Sequence, residues 1–333
     1  MPYDYARPSS FPNGFPGGIT IRGVPIQQFH PGKVFYLNNT AILAPGGTNG
    51  ADGNPGTYQK PCLTLAGALL KCTADRGDMI MVMPGHAETI SSATALALNV
   101  AGVAVVGLGT GTKRPTFTLD TANTTTIHVD AANVTVKNCK FVANFLGIVS
   151  CFTVAATTAS PWFTLEECTF EDTSAILNFK ATLTTTVSVN ADNLGMYQNV
   201  IRSDATTRTT APIVILGTMT GLRLVGNRVV NSVAQNNVAQ LVSHAALVMS
   251  DLYVANNKVW CVNTDTASVA VLLSTTATTG SGTIENNVVR ALDSAAAIMV
   301  TATAVQYGLF NNLYIGDGTS NSGFVLPAIG SDA

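Results

Sequence analysis

The chain has 333 residues, of which 47% are hydrophobic and only 11% charged, with a formal net charge of −2. An average globular protein carries roughly 25% charged residues, so a surface this poor in charge points to burial against other subunits. The balance excludes an electrostatic nucleic-acid or anionic-membrane partner, and no apolar run reaches the length of a membrane span.

Residues 1–32 differ from everything that follows. They hold six of the fourteen prolines, with Tyr3, Tyr5, Phe11, Phe15 and Phe29 interleaved. Proline keeps such a segment extended, and aromatics are the side chains that anchor interfaces. The reading is an extended arm that docks on a partner through those five rings. Met1–Ser10 lacks the apolar core of a signal peptide. Residues 33–78 read as a lead-in strand, a loop and a capping helix. In the loop, Gly46–Gly56 has calcium-loop character at Asp52 and Asn54, but the closing glutamate is missing. The helix is expected over Thr64–Cys72, covering the open edge of what comes next.

Residues 79–315 read as the parallel β-helix, and along the last two thirds of the chain one phrase recurs: apolar-x-apolar-x-(Asn/Gly/Glu/Gln)-(Cys/Asn)-x-apolar. It reads VTVKNCKF from Val134, FTLEECTF from Phe163, LGMYQNVI from Leu194 and LRLVGNRV from Leu222. It continues as LYVANNKV from Leu252, GTIENNVV from Gly282 and YGLFNNLY from Tyr307. Its sixth positions are Cys139, Cys168, Asn199, Asn227, Asn257, Asn287 and Asn312, spaced 25 to 31 residues apart. A fixed period of this size marks a solenoid, and alternation within the phrase marks strands. The fold class is therefore all-β, a single-stranded right-handed parallel β-helix with a short N-terminal capping helix and the extended arm. Seven or eight coils at about 4.8 Å each would make a rod of about 35–40 Å. Asn227, Asn257, Asn287 and Asn312 are expected to stack as one side-chain ladder, and Asn256, Asn286 and Asn311 as another. Cys139 and Cys168 would stack as small buried apolar residues in the same column. Residues 316–333 form a short Gly/Ser-rich tail.

Catalytic residues are hard to place. Hydrolysis of a glycosidic bond needs two facing carboxylates, and a lyase needs basic residues to neutralise a uronate and remove a proton. The acidic residues are dilute; the densest run, Glu166, Glu167, Glu171 and Asp172, reads as a polar rim. The Asp-Asp, Gly-His-Gly and Arg-Ile-Lys motifs of pectin-degrading β-helix families do not occur. His30, His86, His128 and His244 lack metal-ligand spacing, and Cys62, Cys72, Cys139, Cys151, Cys168 and Cys261 contain no C-x-x-C pair. No catalytic residue, cofactor or metal is assigned, and a reducing compartment fits the thiols.

The segments GKVFYLNNTA (Gly32–Ala41), Gly56–Ile90 and Gly102–Leu119 resemble right-handed β-helix proteins of tailed bacteriophages and prophages. Gly56, Pro61, Ala68, Gly77, Asp78, Ile80, Val82, Pro84, Gly85 and Glu88 match the pattern that opens the first coil in β-helix proteins. The resemblance implies a virion component made in the host cytoplasm, not an enzyme. The expectation is a capsid decoration or cement protein on the capsid surface, a homotrimer bound to the major capsid protein. The alternatives are a tail spike or fibre binding host surface glycan, and a free polysaccharide lyase or hydrolase.

Overall fold

The computed structural model describes residues 19–21, 24–26, 32–40, 47–91, 96–187, 189–204, 211–231, 239–245, 248–261, 269–274, 280–290, 298–300, 306–315 and 323–324. The fold is a parallel β-helix whose coils each contribute one strand to three sheets of ten, ten and eight strands. The first sheet runs from Val34–Leu37 through Met79–Val82, Ala104–Gly107 and Thr135–Lys137 to Gln306–Phe310. The second runs from Ala87–Ile90 to Leu313–Ile315 and is closed by an antiparallel pairing with Gly323–Phe324. The third runs from Leu96–Leu98 to Ile298–Val300. Ten strands in one sheet give a stack of about 43 Å, longer than the expected rod, because the lead-in strand pairs in register with Met79–Val82.

The repeated phrase spans the corner between the first and second sheets, and its two polar positions have different tasks. The fifth takes a left-handed backbone: Asn138, Glu167, Gln198, Asn256, Asn286 and Asn311 all have φ between 49° and 58°. A residue in that conformation turns the chain sharply outward, and asparagine tolerates it best among non-glycine residues. The sixth points inward and is buried. Asn227 Oδ1 accepts from the N–H and Nδ2 of Asn199, at 3.0 Å each. Asn257 serves Asn227 in the same way, Asn287 serves Asn257, and Asn312 serves Asn287. Each Nδ2 also donates to a strand carbonyl of the preceding coil, as Asn257 does to Leu224 O at 2.8 Å. Only the inward column is a ladder. The outer set expected from Asn256, Asn286 and Asn311 is a column of turn residues instead, because the left-handed corner sends those side chains into solvent.

Towards the N-terminal end the ladder column changes to thiols. Cys168 N–H donates to Asn199 Oδ1, and its Sγ lies 3.5 Å from Val136 O. That carbonyl is the equivalent of the one Asn199 Nδ2 reaches at Leu165. Cys139 and Cys168 are both fully buried and unpaired, and burial holds the Cys168 thiol up at about pKa 12. Inside the coils, Phe117, Phe141 and Phe170 stack with centroids 5.7 and 5.3 Å apart, and Phe152 packs edge-on against Phe141 at 4.9 Å. Aromatic pairs in these geometries add about 0.5–1.5 kcal/mol beyond their area.

A second left-handed corner precedes the phrase, at Asn133, Trp162, Asn193, Gly221 and Asp251. The cap is shorter than expected: the helix is Leu65–Leu69, with Thr64 Oγ1 accepting from Gly67 N–H. Two carboxylates hold this cap to the first coil. Glu88 Oε2 accepts from Leu65 N–H and faces His86 Nε2 at 3.1 Å. Asp78 accepts from Lys33 N–H, Thr73 N–H and the Arg76 guanidinium. Tyr3, Tyr5, Phe11, Phe15 and Phe29 lie outside the described residues. Within the arm, Ile19–Ile21 and Val24–Ile26 pair antiparallel, so that part is a ribbon rather than a single extended strand. Pro25 is tolerated because a two-stranded ribbon leaves one side of each strand unpaired.

Candidate functional site

Positions seven and nine of the phrase point outward from the second sheet, and parallel pairing stacks them into two columns. Arg228, Lys258 and Val288 are successive members of one; Val230, Trp260 and Arg290 of the other. The inward residues between them, Val229, Val259 and Val289, are buried and fix the strands to the core. Arg228, Lys258, Val259, Trp260, Val288 and Arg290 line a depression of about 490 Å³. The Arg290 guanidinium carbon sits 4.1 Å from the Trp260 ring centroid, a cation–π contact. Trp260 still keeps 49% of its surface exposed.

The charge arrangement is one-sided. Arg228 and Lys258 face each other across adjacent rungs, where like charges are destabilising. Among the described residues, none of Arg228, Lys258 and Arg290 pairs with a carboxylate. In the coils just before the groove the same sheet is neutralised: Glu171 pairs with Lys140 at 2.6 Å and with Arg202 at 3.1 Å. Among the described residues, the sheet therefore passes from a compensated half to a positive groove without carboxylate partners and with an aromatic floor. Such a groove can hold an anion on its cations and a flat apolar ring face on its indole.

The acidic run singled out in the sequence is divided by the corner. Glu166 pairs with Lys137 at 2.8 Å, and Glu167 lies 3.6 Å from the same ammonium. Asp172 sits on the second sheet and accepts from Phe179 N–H, Ser203 Oγ and Asp204 N–H. Asp52 accepts from Leu63 N–H, Thr64 N–H and Thr64 Oγ1, so its oxygens serve the cap. His86 is buried, with Asn39 N–H donating to its Nδ1. His244 is buried beside Gly217 O, and desolvation holds its pKa below the ordinary value. His128 Nδ1 lies 3.8 Å from Asp130. None of these groups lines the second-sheet groove. The groove was missed in the sequence because its cations are about thirty residues apart and form no run. Reading positions seven and nine of successive phrases as columns finds it.

No protein-family model matches this sequence, and no curated protein matches it. Among solved structures, the chain is similar to a rhamnogalacturonan lyase, with a TM-score of 0.52 and 13% identity over 80% of this chain and 70% of that one. The likeness is one of fold. It corrects the expectation that the chain is not an enzyme, since a coil stack of this kind is the scaffold of a lyase.

Proposed function

We propose that the protein binds an acidic polysaccharide in the second-sheet groove and cleaves it. The observation that carries this reading is the set of three cations around an exposed indole that, among the described residues, pair with no carboxylate. A uronate-containing chain supplies both complements: carboxylates for Arg228, Lys258 and Arg290, and sugar ring faces for Trp260. The fold likeness to a polysaccharide lyase supports this reading over the capsid-decoration one.

Elimination is the reaction the residues suit best. Cations on the uronate carboxylate make the neighbouring ring proton easier to remove by stabilising the charge that develops. A base takes that proton, its electron pair forms a carbon–carbon double bond, and the glycosidic oxygen leaves and is protonated. Arginine stays protonated in proteins, so Lys258 is the group of the three that can accept the proton, acting in its neutral amine form and becoming the ammonium, while Arg228 and Arg290 hold the carboxylate.

The test is cleavage of polygalacturonate and of a rhamnose-containing pectin, followed by ultraviolet absorbance of the unsaturated product. Lys258→Ala is expected to abolish product formation, and Lys258→Arg to keep binding while losing turnover. Trp260→Ala is expected to weaken binding by roughly tenfold, in line with about 1–2 kcal/mol for a stacked ring. Binding that is insensitive to salt and unchanged in all three variants would remove the groove from consideration.

A further inference from the structure

The outward face of the first sheet carries an arrangement that the groove does not use. In two of its strands a glycine stands two residues before an aromatic ring, Gly195 before Tyr197 and Gly308 before Phe310. A methyl group placed on Gly195 would lie 2.5 Å from Tyr197 Cε2 and 3.1 Å from its Cζ and Oη. One placed on Gly308 would lie 2.7 Å from Phe310 Cε2 and 3.2 Å from its Cζ. Side chains on a strand ordinarily stand roughly perpendicular to the sheet. These two rings instead lean back along the strand, with their Cε2–Cζ sides over the space the missing Cβ leaves. Phe310 remains 56% exposed.

The register places both rings in a single outward column. Tyr197, Val225, Ala255, Glu285 and Phe310 are successive partners. Four rungs separate the rings, about 19 Å. Between them Tyr253 donates its hydroxyl to Glu285 Oε1 at 2.6 Å, leaving a carboxylate with further acceptor capacity one rung from Phe310. Flat ring faces suit the C–H faces of pyranose rings, and an acceptor between them suits sugar hydroxyls. Glu285 disfavours an anionic chain, so this face is complementary to an uncharged glycan where the second sheet is complementary to an acidic one.

We infer that the outward face of the first sheet is a second carbohydrate site, which takes a neutral oligosaccharide laid along the coil axis with its sugar faces on Tyr197 and Phe310. It shares with the reading above only the class of ligand, a polysaccharide. The experiment is calorimetric titration of the full chain with cellohexaose, xylohexaose and mannohexaose, and in parallel with polygalacturonate. Binding of one neutral hexaose is expected, reduced roughly threefold to tenfold by Tyr197→Ala and by Phe310→Ala, the range of one aromatic contact. Gly195→Ala keeps the tyrosine but lifts its ring, and is expected to cost as much as removing it. Phe310→Ala truncates an exposed side chain, so it reports on the site even if Gly195→Ala fails to fold. Trp260→Ala is expected to leave the neutral hexaose bound. Failure of all three hexaoses to bind, or full affinity in Phe310→Ala, would overturn the site. So would a change in sedimentation of the variants with no change in sugar binding, which would mark the rings as a contact between copies. Binding of a neutral hexaose without polygalacturonate supports this site and overturns the second-sheet reading.

Discussion

Replacing Asn257 by alanine tests how much of the coil stack depends on the inward amide column. Asn257 is fully buried. Its Oδ1 accepts from Asn227 N–H at 2.9 Å and Asn227 Nδ2 at 3.0 Å, and its Nδ2 donates to Leu224 O at 2.8 Å and Asn287 Oδ1 at 2.9 Å. Alanine removes all four bonds. Asn227 Nδ2 keeps Met196 O and Asn287 Oδ1 keeps Asn257 N–H, so each of those loses one bond of two. Asn227 N–H is left with no partner. A buried orphan donor costs about 1–3 kcal/mol, and each further lost bond about 0.5–1.5 kcal/mol. With three such further bonds lost, the sum is about 2.5–7.5 kcal/mol. The neighbouring Asn256→Ala loses only the tolerance of asparagine for its φ of 58°, about 1 kcal/mol. Chemical denaturation followed by circular dichroism measures both, and amide exchange at Asn227 reports the orphan directly, since solenoid coils can open locally. Equal destabilisation by the two variants, or unchanged protection at Asn227, would refute the assignment of separate tasks to adjacent asparagines.

Three other outcomes are expected. Trp162 holds φ 64° at a corner where its counterparts are asparagine, glycine or aspartate, and it is 57% exposed; Trp162→Asn should raise the unfolding free energy by about 1 kcal/mol, measured by denaturant titration. Burial opposes the charge on Asp78, but the Arg76 guanidinium and the Thr73 and Lys33 N–H groups outweigh it and hold the carboxyl at about 2. Its stabilisation is complete above the unfolded value near 3.9 and is lost as pH falls from there towards about 2, so Asp78→Asn should flatten the acid limb of a stability–pH curve and cost on the order of 2 kcal/mol at neutral pH. Burial pushes the Tyr307 phenol up to about 12 while its hydroxyl donates to Met249 O; stability from it is present below the unfolded value near 10 and is lost as pH rises towards 12. A spectrophotometric titration should show a late phenolate phase that Tyr307→Phe removes.

The period made the coil stack legible, because a strand sequence returning every thirty residues can bury its apolar side only against its own repeats. The division of labour between adjacent asparagines was not legible from the NN pairs themselves. The signal lay in earlier coils: Glu167, Gln198 and Gly226 share the fifth position, which suits a turn, while Cys139 and Cys168 share the sixth, which suits burial. The groove was hidden for a different reason. Arg228, Lys258 and Arg290 are isolated in sequence, and only coiling brings them onto one face. Composition hid it too, since 11% charged residues average over a neutralised half of the second sheet and the half that carries Arg228, Lys258 and Arg290. The flat rings were invisible because nothing in a Gly-x-aromatic triplet says that the ring will lean back along the strand; that follows from an outward strand position with no Cβ beside it.

The one-way hand-off of amides along the interior also bears on how such a chain can grow. Asn227, Asn257 and Asn287 each answer an asparagine on one side and are answered by another on the other, so a duplicated coil inserted among them arrives with both demands already met. At the thiol end the same insertion would meet sulfur, a far weaker correspondent. Gene-level lengthening is therefore least disruptive in the later coils, the stretch that also carries Arg228, Lys258, Arg290 and the outward rings, so the outer surface there can be extended without renegotiating the interior.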